Sequence, residues 1–431
     1  MKKLNYKNTL HSCYIGYIVQ ATIVNLTPVL FVIFQDKLGI SFNMLSGLIL
    51  TNFISQFVLD AFSSKITDAF GYRKTMIMAL SMSAGGLILL GILPNIMTQK
   101  FLSLVIPTLI FSVGGGLLEV VVSPVVESLP LGDKKSTMAM LHSFYCWGQL
   151  LVVLCSTMFI KFVGDQYWYV LPIIWAIIPL CNIVAFSIVP MTVPTQPQER
   201  TKFSTLLRSP IFILSMFVMM MAGASEMVIA QWSSIFAEKG LQVSKFVGDL
   251  LGPCIFALLM GLGRLFYGIF GAKININRIL IASACLCVAC FLTTALSPMP
   301  IVALIGCGAC GLAVSMMWPG TLSMSANFFP KGGTLLFGVA ALFGDIGCTI
   351  GPSLAGFVAD GIKSSSSMQG LAGQIGLDIE QLALRGGILV CTIFPIILLV
   401  CIIVLTTLAK KKSPLDGNDN EIADSQMSDV K

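Results

Sequence analysis

Four carboxylates, Asp60, Glu119, Glu226 and Asp345, stand inside long apolar stretches of the chain. In hydrocarbon a charged carboxylate costs about 2.5–3.5 kcal/mol even on the lenient insertion scale, so four left alone would cost on the order of 10 kcal/mol. Three escapes exist: a cationic partner, a water-filled cavity, or protonation. No lysine or arginine is expected at the same depth, because Arg264 and Lys65 fall near the ends of their stretches. A wet cavity or a proton is left, and both belong to the movement of solutes and ions. The alternative for each acid is a silent hydrogen bond to a neighbouring helix. That alternative suits Asp60 best, since it lies about two turns from a loop.

Helical spacing supplies neighbours for these acids. Tyr14, Tyr17, Ala21, Asn25 and Pro28 share one stripe, His142, Tyr145 and Gln149 a second, and Ser315, Trp318 and Ser325 a third. Rings stack on the apolar faces of a hydroxylated ligand, while amides and carboxylates bond its hydroxyls. Asn25, His142, Tyr145, Gln149, Trp318 and Trp232 are therefore the expected ligand-binding residues, with ordinary packing as the alternative for each aromatic. Glu119, Glu226 and Asp345 are the expected proton carriers. Trp232 and Gln231 lie off the Glu226 face of an ideal helix, so they join that cavity only if their helix is broken.

The elements that position these residues follow from composition. Of 431 residues, 56% are hydrophobic and 11% charged, with a mean hydropathy of +0.90. Soluble domains carry about 25% charged residues to cover their surface. A chain this poor in charge has lipid as its solvent, where an apolar run of about 20 residues crosses as a helix. Twelve spans are expected, at roughly 12–34, 45–66, 75–93, 101–126, 137–160, 167–189, 210–236, 248–270, 279–297, 301–326, 334–359 and 386–409. The first is full length and lacks a small-residue cleavage site, so it reads as a span and not as a removable signal. The thirteen cysteines sit mostly inside apolar runs, where they act as small packing residues. A metal site at Cys307-x-x-Cys310 is the sharper alternative. No phosphate loop, nucleophile constellation or metal cluster points to an enzyme.

Lysine and arginine fix the expected orientation. With the N-terminus inside, that side receives 19 of them and the other 7, together the 26 in the chain. Both termini are thus expected in the cytoplasm, with the protein in the cell membrane. The stretch 190–209 holds Pro190, Pro194, Pro197, Arg200 and Lys202 and reads as a linker between a six-helix bundle at 1–189 and another at 210–409. Residues 410–431 turn polar and acidic and read as a disordered tail. The halves resemble each other: Ile33-Phe-Gln-Asp-Lys37 matches Ile235-Phe-Ala-Glu-Lys239, and Gly116 and Pro124 match Gly311 and Pro319 at the same spacing. Duplication of this kind is common among transporters.

After the second span the chain reads Ser64-Lys-Ile-Thr-Asp68-Ala-Phe-Gly71-Tyr-Arg73-Lys74. This resembles the inner-loop motif of the major facilitator superfamily, Gly-x-x-x-Asp-Arg-x-Gly-Arg-Arg/Lys. Asp68, Gly71 and Arg73 match, while Ser64, Ala69 and Tyr72 depart. The resemblance implies an inner-loop gating role for Asp68, Gly71 and Arg73, with Asp60 one step deeper. Spans four and five, Gly115-Gly-Leu-Leu-Glu119 with Pro124 and Leu141-His-Ser-Phe-Tyr-Cys-Trp-Gly148, look like the fucose-permease branch of sugar–proton symporters. Trp318-Pro-Gly320 and Gly347-x-x-x-Gly351-Pro352 look like it too. In that branch the span-four glutamate takes part in proton coupling. The branch also has an aspartate before a proline in span one, where this chain has Thr27 before Pro28, so that acid's role is lost or moved to Glu226 or Asp345.

The implied fold is all-α, twelve membrane helices in two six-helix pseudo-repeats. The implied function is proton symport of a small neutral, sugar-like solute by alternating access. Proton-coupled efflux of cationic or lipophilic compounds is the alternative, weakened because the span-five Gly-x-x-x-Gly-Pro motif of drug antiporters is missing. A sensor that binds without moving its ligand is a third reading, with no signalling domain to support it. The expected partners are the solute and the bilayer, with no nucleic acid and a functional monomer. No cofactor is expected beyond the proton gradient, sodium remaining open as the coupling ion. Without a cation at depth, sugar phosphates and dicarboxylates should be excluded.

Overall fold

The computed structural model describes residues 5–130, 134–192, 208–270, 275–329 and 333–412. Most of the linker and the tail from 413 lie outside the described residues. Among the described residues eleven helices are long and apolar enough to cross a membrane, and a bent pair at the start makes up to twelve. Each expected span is present, most of them several residues longer than its apolar run.

Span one is Tyr6–Val29, capped by the Asn5 side chain, and continues as Phe31–Leu38 after a 44° bend. Pro28 causes the bend, because it has no N–H for the Val24 carbonyl. Spans two to five are Phe42–Phe70, Tyr72–Ile96, Lys100–Ser128 and Lys134–Val163. Span six runs as Val170–Trp175 and Ile177–Ile188. Span seven is Pro210–Ile235, ending in a π-turn at Phe236–Gly240. Span eight starts at Lys245–Asp249, passes a second π-turn at Leu250–Cys254 and continues as Ile255–Phe270. Pro253 inside that turn removes a donor, which fits the wider winding.

Span nine is Ile276–Leu296, and span ten is Pro300–Val314 with Met317–Phe328. Span eleven is Gly333–Ser364, and span twelve is Ile379–Cys391 with Ile393–Lys412. A further short helix, Ser366–Gln374, lies between the last two spans. Its Met368, Leu371 and Ile375 are exposed and Ala372 is buried.

Packing is closest where glycine removes the side chain. A Cβ at Gly347 would strike the Met220 carbonyl and one at Gly351 the Ala224 carbonyl, so spans seven and eleven touch backbone to backbone. The outward faces carry exposed Ile, Leu, Val and Phe throughout, as lipid-facing surfaces do.

Contacts between the first six and last six spans gather from the middle of the bundle to the end remote from the termini, here the far end. Gln231 of span seven donates to the freed Val24 carbonyl at 3.2 Å. Cys146 lies against Gly261, and the Trp232 ring meets Phe31 and Phe42. One turn nearer the termini than Cys146, His142 is exposed. The bundle is closed at its far end, and the polar wall at His142 is open toward the near end.

Candidate functional site

Glu119 lies in the middle of span four, next to the close approach that Gly115 and Gly116 permit to spans one and two. Gln20 of span one donates to Glu119 Oε2 at 2.7 Å. The same Gln20 nitrogen donates to Gln56 Oε1 at 3.0 Å, and Gln56 donates to Asn52 Oδ1 at 3.0 Å. Ser112 closes the chain by donating to Asn52 Oδ1 at 2.5 Å. Buried amides are costly unless bonded, and here a file of them ties spans one, two and four to the one carboxylate. The sequence reading missed Gln20, Asn52, Gln56 and Ser112. Their signal was present, since amides at mid-span obey the same logic as acids.

Asp345 reaches the same region from span eleven, is 6% exposed, and interacts electrostatically with Glu119. Two acids, one from each set of six spans, therefore lie within electrostatic range of one another. The third acid has a different setting. Arg264 Nη2 donates to both carboxylate oxygens of Glu226, at 3.1 and 3.2 Å, with the pair largely buried. This corrects the expectation that no cation reaches the depth of the acids. The long arginine side chain carries its charge inward from the near half of span eight. Glu226 is consequently held by a buried arginine.

The expected ligand-binding residues separate. Asn25 donates to the Tyr145 hydroxyl at 3.4 Å and to the Ala21 carbonyl at 3.0 Å. Tyr17, whose hydroxyl lies 3.0 Å from Ser123 Oγ, meets His142 edge-on with ring centroids 5.4 Å apart. Tyr145 and His142 are within electrostatic range of Glu226 and Arg264 respectively. Asn25, Tyr145, His142 and Tyr17 thus share one wall with the acids. Gln149 is buried, and its Nε2 has no hydrogen-bond partner among the described residues. Trp318 is half-buried over Gly344, where a Cβ would meet its ring. Trp232 is a correction: it is 1% exposed, and its indole N–H donates to the Pro352 carbonyl at 2.9 Å. It packs spans one, two, seven and eleven together and gives no surface to a ligand.

At the loop after span two, Gly71 has φ of 76°, a conformation that favours glycine, and it separates spans two and three. Arg73 finds its described partners on span six. It donates to the carbonyls of Phe186, Ser187 and Val189 at 2.7–2.9 Å, capping the end of span six. The side chains of Asp60 and Asp68 lie outside the described residues. Cys307 and Cys310 are buried, the latter with its sulfur 3.8 Å from that of Cys287. Among the described residues no group of three or more His, Cys, Asp or Glu side chains could hold a metal ion.

A model of the Major Facilitator Superfamily matches residues 13–352. The chain belongs to that superfamily. It is a multi-pass membrane transporter of the major facilitator fold. No curated protein matches it by sequence. Among solved structures it is similar to a D-xylose–proton symporter, with a TM-score of 0.70 and 14% identity over 90% of this chain and 97% of that one. The fucose:proton symporter of E. coli gives a TM-score of 0.61 and 15% identity, over 92% and 98%. A nucleoside transporter gives 0.67 and 11%, over 93% and 98%. At these identities the likeness shows the fold.

Proposed function

We propose that this transporter carries a small neutral, sugar-like solute by proton symport, with the six-helix units 1–189 and 210–409 rocking about the central seam. The observation that carries the reading is Glu119, bonded by Gln20 and within electrostatic range of Asp345 from the other six spans. A carboxyl group there can take a proton from one side and release it to the other as access alternates. The Tyr17, Asn25, Tyr145 and His142 wall beside it offers rings for a sugar's apolar face and polar atoms for its hydroxyls. Similarity to xylose, fucose and nucleoside carriers supports a hydroxylated solute.

Glu119 and Asp345 carry the proton in this reading, and Glu226 holds Arg264. The protein sits in the cell membrane with both termini cytoplasmic, so the open near end faces the cytoplasm. The test is uptake of labelled neutral sugars, nucleosides and organic cations into proteoliposomes, with and without a pH gradient. Gradient-driven accumulation of a neutral hydroxylated solute is expected. Gradient-driven movement of cations alone would replace the reading with efflux.

A further inference from the structure

At the far end, away from the solute wall, a second charged cluster spans the seam. Asp249, in the first turn of span eight, is fully buried, with its side chain 1% exposed. Thr157 of span five donates to Asp249 Oδ2 at 2.6 Å, and Ser234 of span seven donates to Oδ1 at 2.5 Å. The Lys245 ammonium lies 3.2 Å from the carboxylate and donates to Ser234 Oγ at 3.1 Å. Three of these four residues belong to the last six spans. Only Thr157 comes from the first six.

We infer that Thr157 and Asp249 form a latch that holds the far end shut. The inference rests on the alternating-access reading above. A buried carboxylate is costly unless paired and bonded. If opening stripped Asp249 of every partner, the far end would stay closed. Ser234 and Lys245 travel with Asp249, so opening breaks the Thr157 hydrogen bond and leaves the charge compensated. The latch is strong enough to hold and cheap enough to release.

Two further features belong to it. Two π-turns flank the cluster, Phe236–Gly240 just after Ser234 and Leu250–Cys254 just after Asp249, and such single turns occur at functional sites. Lys161, one turn beyond Thr157, places its ammonium 3.5 Å from the centre of the Phe246 ring, a second contact between the same two spans. The Lys245 ammonium also fills the position that a cation bound by this carboxylate and the Ser234 hydroxyl would need. A far-end ion pair that also crosses the seam, Lys239 with Asp36 at 2.8 Å, has a carboxylate side 54% exposed. Exposed pairs contribute little, so of these two charged contacts the buried one is the stronger.

The test is hydrogen exchange of the full chain in lipid nanodiscs without solute, comparing wild type, Thr157→Ser and Thr157→Val. Thr157→Val is nearly isosteric and removes only the cross-seam donor. We expect it to raise exchange at residues 150–163 and 234–254 by about tenfold, the factor for losing a hydrogen bond to a charged acceptor. Exchange at the near ends of spans four and ten, residues 120–130 and 317–329, should fall in the same variant as that end closes. Thr157→Ser should match wild type. Unchanged exchange in Thr157→Val, or a rise confined to span five with the near ends unaltered, overturns the latch. If Thr157→Val does not fold, Thr157→Ala carries the same comparison. Because no solute is present, a failed transport assay and a failed latch are separate results.

Discussion

The Gln231 amide of span seven bonds the Val24 carbonyl of span one because Pro28 cannot. A proline four residues on removes the N–H that would normally occupy that carbonyl. The vacancy bends span one and gives the opposite set of spans a point of attachment.

Pro28→Ala should therefore do two things at once. The new N–H reclaims the Val24 carbonyl and straightens the helix, and it leaves a buried Gln231 donor without its acceptor, at a cost of about 1–3 kcal/mol. The expected outcome is a lower Tm and slower transport, with Gln231→Leu restoring the Tm of Pro28→Ala in part. Additive losses in the double variant would show that the two residues do not act on each other.

The Arg264–Glu226 pair makes a prediction about charge. Removing one partner of a buried pair leaves the other uncompensated, costing about 3–5 kcal/mol. Arg264→Gln and Glu226→Gln should each lower Tm in detergent, and the double substitution should recover much of the loss. In the wild type, Glu226 neutralises the arginine and Glu119 and Asp345 add negative charge, so anions remain excluded. Freeing Arg264 in Glu226→Gln should admit a hydroxylated carboxylate that the wild type rejects. Saturable uptake of a uronic acid by wild type at the rate of its neutral parent counts against this account.

At the inner loop, Asp68 and Arg73 should differ in kind. Arg73 holds three carbonyls at the end of span six, so Arg73→Ala should lower Tm while surviving protein still transports. Lysine, with one ammonium, cannot span the three carbonyls and should rescue little. Asp68→Asn should slow transport with Tm unchanged, as expected of a loop charge that pairs in one state and not the other. Full transport by well-folded Asp68→Asn would remove it from gating.

Much of this was legible in the sequence because the bilayer leaves the backbone few options. Apolar runs must be helices, so all twelve spans appear, and acids at mid-span mark Glu119, Glu226 and Asp345 as central. What stayed hidden depends on where helices begin and how they pack. Asp249 is not among the four acids that the apolar runs single out, yet it is fully buried at the start of a helix that begins at Lys245. The reach of its side chain brought Arg264 to Glu226. Trp232 carried the right chemistry for a ligand wall, but Phe31, Phe42 and the Pro352 carbonyl enclose it. The amide file from Gln20 to Ser112 joins three helices, and no single-helix periodicity shows it.

The central claim is that Glu119 carries the coupled proton. Gln20 can donate to it when it is charged, and the same amide can turn to accept from it when it is neutral, so its setting suits both states. Glu119→Gln fixes the neutral form. The direct measurement is a pair of proteoliposome assays on this variant, exchange between equal pools of solute and accumulation against a pH gradient. Exchange needs no net proton movement and should continue near the wild-type rate, whereas internal solute should rise no higher than external. Accumulation in Glu119→Gln at the wild-type level, with its pH dependence unchanged, would contradict the account.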